Sequence, residues 1–111
     1  MKKVNVKLTE SKWKKFPEDE EIQLKIRPFP VSQGMFIPGI SNETMWEYLL
    51  KKFLYCVEDW KGFVDENDKP LECNEDNKTF VYNYFQDIVT FAITEIAEVT
   101  YGVKVVPEKK T

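Results

Sequence analysis

The side chains able to do chemistry are few in this chain of 111 residues. It has no histidine, one arginine (Arg27) and two cysteines, Cys56 and Cys73. Without histidine there is no Ser-His or Cys-His nucleophile, and the commonest general base and metal ligand are missing. Neither cysteine sits in a Cys-x-x-Cys pair, whereas structural zinc needs about four soft ligands. The four glycines, at 34, 39, 62 and 102, are isolated, so no glycine-rich loop cradles a phosphate. One run of hard oxygen ligands exists, Asp65, Glu66, Asn67 and Asp68. Counted as a calcium loop from Asp65, position 5 is Lys69 and position 6, where glycine is required, is Pro70. The run reads as a solvated turn. Nothing in the sequence pairs the acids Glu58-Asp59 with a pocket, and they read as flanking a helix end. The expectation is a protein with no catalytic residue, no metal and no cofactor, and so no enzyme.

Charge narrows the partners. The balance is 16 basic against 19 acidic residues, net −3, and the basic side is almost all lysine. Residues 1–15 hold six lysines (2, 3, 7, 12, 14, 15) against Glu10, and residues 58–76 hold eight acids (58, 59, 65, 66, 68, 72, 75, 76) against Lys61 and Lys69. Nucleic-acid binders usually carry net positive charge and several arginines, so the lysines read as the wet face of strands. No nucleic-acid partner is expected. No run approaches the roughly 20 apolar residues of a membrane span, and no apolar signal region opens the chain. Without such a signal the sequons at Asn42 and Asn77 carry no weight. The expectation is a reduced, cytosolic protein with no membrane contact.

The elements that would position these residues follow from periodicity. The length suits one domain, and 42% hydrophobic with 32% charged residues excludes a disordered chain. Val4, Val6 and Leu8 alternate with polar residues, as do Ile22, Leu24 and Ile26, with a further strand possible over 12–16. Residues 3–29 therefore read as an antiparallel β meander with one lysine-rich face, ended by Pro28 and Pro30. A loop over 30–40 carries Met35, Phe36 and Ile37, which look exposed. Ser41, Asn42 or Thr44 with Glu47 can cap a helix within 41–58, whose apolar side is Trp46, Leu49, Leu50, Phe53, Leu54 and Val57. A short β-hairpin over 60–72 follows, tipped by residues 65–69. Asn74 caps a helical region over 74–102, ended at Gly102, with a break near Gln86-Asp87 and Asp87 as the new cap. A tail occupies 103–111. Cys56 should be buried. The fold class is α+β: a small N-terminal meander packed with two or three helices, with a hairpin between helices.

The last helical region carries an apolar arc of roughly 220°, from Phe80 through Val81, Phe85 and Ile88 to Ile93, where one core needs little more than about 100°. Two readings fit. The arc is buried on two sides within the domain, or a flank formed by Phe80, Tyr84 and Phe91 meets another protein chain or a second copy.

The segment 54–77, LYCVEDWKGFVDENDKPLECNEDN, resembles a pattern in small assembly proteins of long-tailed bacteriophages: roughly Val-x-Asp-Trp-x-Gly, a hydrophobic pair, an acidic turn, Pro-Leu and a capped helix. The matching residues are Val57, Asp59, Trp60, Gly62, Phe63, Val64, Asp65, Pro70, Leu71 and Asn77. The strand IQLKIRPF, residues 22–29, looks like that family's strand ending in Arg-Pro. The resemblance covers about residues 16–100 and departs at Asp68, where the pattern usually has glycine. It implies a tail assembly chaperone or an allied tail-module protein of a phage or prophage. Such a protein would act in the cytoplasm of the bacterial host, and its partners would be the tape-measure protein, tail-tube subunits, or further copies of itself. The rival implication is a virion structural piece, such as a head–tail connector or tail-completion subunit. The motif residues would be structural, with Trp60, Phe63 and Leu71 anchoring the hairpin.

Overall fold

A computed structural model describes residues 10–102. The order is β1 (Lys12–Lys15), β2 (Gln23–Ile26), a 3-10 turn (Val31–Gln33), α1 (Met45–Cys56), β3 (Val57–Lys61), α2 (Glu75–Tyr84) and α3 (Gln86–Tyr101). The strand expected over 4–8 and the tail over 103–111 lie outside the described residues. The α+β class holds: among the described residues an antiparallel three-stranded sheet, ordered β1-β2-β3, packs with three helices.

The sheet differs from the expected meander in where its third described strand comes from. The periodicity carried the first long helix to residue 58, but α1 stops at Cys56 and runs into β3 with no loop. Pairing takes over at that point: Val57 lies opposite Ile26, and Arg27 N donates to Cys56 O at 2.9 Å. Lys78 Nζ reaches across from α2 to Leu54 O and Val57 O at 2.9 and 3.0 Å, so a cation meets the negative end of α1. Leu24 pairs with Trp60 and Lys25 with Asp59, yet Ile26 pairs with Val57, leaving Glu58 as the extra residue of a bulge. Val57 and Trp60, three apart, would point to opposite faces of a regular strand. The bulge lets both be buried.

Trp60 therefore belongs to the sheet and not to the expected 60–72 hairpin, which shrinks to a single bridge between Val64 and Pro70. The lysines also divide between the two sides of the sheet. Lys14 lies opposite buried Leu24 and pairs with Glu95 of α3 at 3.5 Å, whereas Lys25 lies opposite Trp13 and Asp59. A lysine-rich single face is thus corrected to a mixed one.

The helix starts obey local chemistry. Thr44 Oγ1 accepts from Glu47 N at 3.1 Å and donates to Glu47 Oε1, and Asn74 Oδ1 accepts from Asn77 N at 2.8 Å. Gly102 ends α3 in the left-handed region, φ +67°. The break in the last helical region falls at Phe85, one residue before the expected point. Phe85 N donates to Val81 O while Phe85 O accepts from Val89 N, so one residue closes α2 and opens α3. Asp87 is not the cap. It sits in the first turn of α3 and its Oδ1 accepts from Ile88 N at 2.8 Å.

The core lies between the sheet and the helices. Leu24, Ile26 and Val57 from the strands meet Phe53 and Cys56 of α1. Ile88, Ala92, Ile96 and Val99 complete it along one stripe of α3, while α2 contributes only Val81 as a fully buried residue. Half of the α2 residues, Phe80 and Tyr84 among them, are exposed.

Candidate functional site

The structure divides the three candidate binding residues. On one unbroken helix Phe80, Tyr84 and Phe91 (i, i+4, i+11) would form a stripe. Phe80 and Tyr84 do stand together, ring centroids 4.8 Å apart, and are 54% and 72% exposed. The break at Phe85 redirects α3, and Phe91 turns inward to pack edge-on against buried Phe16 at 5.4 Å. Phe91 is therefore corrected from a binding residue to a core-margin residue. Phe85 takes its place: its ring lies 6.2 Å from Phe80 and is 42% exposed. The outer side of the α2–α3 junction is thus a cluster of three uncovered rings. Of the apolar arc, Phe91 follows the burial reading, while Phe80 and Tyr84 stand exposed.

A second aromatic was missed in the sequence. Trp46 has the spacing of the apolar side of α1, but it occupies the first turn of that helix and is 71% exposed. Its carbonyl accepts from Tyr82 Oη at 2.9 Å, tying α1 to α2. A shallow groove of about 330 Å³ lies there, lined by Trp46, Tyr82, Asn83, Gln86 and Val89. The 30–40 loop bears exposed Met35 and Ile37, as its composition suggested, while Phe36 packs 5.8 Å from the Tyr48 ring.

The motif residues form the support. Trp60 is 5% exposed, its indole Nε1 donates to Leu71 O at 2.8 Å, and its ring lies 4.7 Å from Phe63. Leu71 N returns a bond to Phe63 O at 2.9 Å, and both residues pack on the core beside Trp60 of β3. Asp59 Oδ1 accepts from Trp60 N at 2.8 Å. Gly62 has φ +92°, and a Cβ there would collide with the backbone of Glu21 and Ile22. Asp65 Oδ1 accepts from Asn67 N and Lys69 N, which closes the acidic turn on itself. Asp68 takes φ +59°, a conformation in which glycine costs least.

Neither cysteine is held as a thiolate. Burial pushes the Cys56 thiol up to about 12 and the Cys73 thiol up to about 11, with Lys52 and Lys78 respectively offsetting part of the effect. Both remain protonated at neutral pH, and the thiolate is the nucleophile. Burial raises Tyr82 as well. Among the described residues no group of three or more acids or cysteines is placed to hold a metal ion, and no helix is long and apolar enough to cross a membrane. The arrangement suits contact with another apolar surface. Comparison with protein-family models, curated proteins and solved structures yields no match for this chain.

Proposed function

We propose that this chain is a non-enzymatic tail assembly protein of a long-tailed bacteriophage or prophage, acting in the host cytoplasm. It would serve as a chaperone that binds the tape-measure protein or tail-tube subunits through the cluster formed by Phe80, Tyr84 and Phe85. The observation that carries the binding role is that cluster, three adjoining rings left uncovered beside a well-buried core. The largest contiguous apolar patch on a monomer is often a functional contact site. The phage assignment is supported by the 54–77 resemblance, whose Trp60, Phe63, Gly62 and Leu71 act together as one anchor. Asp68 also adopts the left-handed backbone where the phage pattern carries glycine.

The test is co-expression with the tape-measure and tube proteins encoded beside the gene. The parent should keep a tape-measure fragment soluble and co-purify with it. Phe80→Ser with Tyr84→Ser should keep the parent's circular dichroism and lose the fragment, each ring contributing about 1–2 kcal/mol when desolvated. A parent that retains neither protein overturns the chaperone reading. Recovery of the chain from purified virions would instead support a connector or tail-completion subunit.

A further inference from the structure

Next to the ring cluster, a groove of about 390 Å³ opens between the β1–β2 turn and the start of α3. Phe16 and Ile88, both nearly buried, form its floor, and Ile22, Phe63 and Phe85 its walls. Phe85 belongs to the groove and to the exposed cluster alike, so the two apolar surfaces are continuous. Three ionisable side chains line it, Glu18, Asp19 and Asp87, and all are carboxylates. Two are already held in place through the backbone: Asp19 Oδ1 accepts from Glu21 N, and Asp87 Oδ1 from Ile88 N. None of the three is paired with a lysine or arginine among the described residues.

We propose that this groove docks a basic amphipathic segment of a protein partner. One apolar side chain enters between Phe63 and Phe85, and lysine or arginine side chains flanking it meet Glu18, Asp19 and Asp87. The charge selects the occupant. Three carboxylates around an apolar floor repel nucleic acid and acidic peptides and draw in cations, with an attraction that fades in salt. Helix-in-groove recognition uses spaced apolar anchors of this kind. Among the described residues, the open sheet face does not supply the occupant from a second copy. There Lys15, Lys25 and Lys61 surround Trp13, and Lys61 already covers that indole at 4.4 Å. A flat sheet face presents no protruding side chain to enter a groove. The inference deepens the protein-binding reading above and rests on it, but it does not require the partner to be a tail protein.

The probe is a synthetic leucine–lysine peptide with leucines at i, i+3, i+4 and i+7, titrated into the full chain at low salt and followed by backbone amide shifts. Shifts should concentrate at 16–22, 63 and 85–88, and a leucine–glutamate peptide should produce none. Removing the rim charges with Glu18→Gln, Asp19→Asn and Asp87→Asn should weaken binding about tenfold. Glu66→Gln, Glu72→Gln and Asp76→Asn, equal in charge but away from the groove, should leave it nearly unchanged. The proposal is overturned if both triple variants weaken binding alike, or if the shifts map to the sheet face around Trp13. Self-association lost in the rim variant would overturn it too, by making the occupant a second copy. The two readings fail separately. Peptide binding in the groove without retention of any tail protein removes the phage assignment and leaves the groove. Loss of the tape-measure fragment with Phe80→Ser and Tyr84→Ser, but not with the rim variant, does the reverse.

Discussion

Gly62 offers the sharpest test of how the sheet is built. It follows β3 at φ +92°, and a Cβ added there would stand 2.7 Å from Glu21 C and 2.8 Å from Ile22 Cα, with Glu21 O closer still. These are backbone atoms of the β1–β2 turn, tied by Phe16 N to Ile22 O at 2.9 Å and Ile22 N to Asp19 O at 2.9 Å. They cannot swing aside as a side-chain end would. Gly62→Ala therefore carries two costs. The left-handed backbone costs alanine about 1–2 kcal/mol, and pushing the turn away adds about 1–3 kcal/mol, as overpacking does. Reduced freedom of the unfolded chain returns about 0.4–1 kcal/mol. The net is roughly 2–4 kcal/mol, a fall of roughly 10–30 °C in melting temperature for a domain of this size. Gly102→Ala is the control, since Gly102 also has positive φ but a Cβ there meets nothing within 4 Å. It bears the conformational cost alone. Thermal melts of the two variants isolate the steric part. If both melt together, the approach of β3 to the turn is looser than these distances say, and the reasoning fails.

Trp60→Ala should cost about 3–5 kcal/mol because the ring is almost wholly buried, whereas Trp60→Phe, which keeps an aromatic ring but strands Leu71 O, should cost less; denaturant titration ranks them. Asp68→Gly relieves a left-handed aspartate and should raise the melting temperature slightly or leave it unchanged; a clear loss would mean that the Asp68 side chain holds the turn. Burial first, then the neighbouring Glu98, raises the Glu95 carboxyl above its ordinary range, and Lys14 offsets only part of this. Such a group favours the fold at low pH, and its contribution disappears as pH rises through the raised value. Glu95→Gln should therefore melt at or above the parent at neutral pH, with the difference closing as pH falls below the usual carboxylate range; a less stable variant at neutral pH would show the Lys14 ion pair to outweigh burial.

What could be read from the sequence was local. Caps at Thr44 and Asn74 and the left-handed Gly102 depend on a few consecutive residues, and each stands where its chemistry put it. Burial of Cys56 followed from helical spacing. The α1–β3 boundary was not legible, because Val57 continues the helical period while its strand partner Ile26 is remote in sequence. The bulge at Glu58 was hidden for the same reason. Lys14 and Glu95 are ordinary charges in sequence and become neighbours only when α3 lies beside β1. Trp46 was misplaced because periodicity reports an apolar side without saying how far the core extends along it. The first turn of α1 runs past that edge.

Phe85 is where the candidate site departs most from local preference. It opens α3 with no side-chain cap, although serine, threonine, aspartate or asparagine there would satisfy a free N–H and contribute about 1 kcal/mol. A large ring held partly in solvent gives up part of its burial energy as well. Natural chains keep such local conflicts mainly where function requires them. The ring is shared between the exposed cluster and the acid-rimmed groove, the two surfaces proposed for binding. Phe85→Ser exchanges the ring for a capping hydroxyl. The loss from partial burial, about 1–2 kcal/mol, is then partly offset by the cap. Stability should fall by no more than about 1 kcal/mol, while affinity for the leucine–lysine peptide falls severalfold. The two quantities respond in opposite proportion to a purely structural role, in which stability would drop steeply and binding only as far as unfolding explains. A variant that loses several kcal/mol and binds normally in its folded fraction would place Phe85 in the core and remove it from the site.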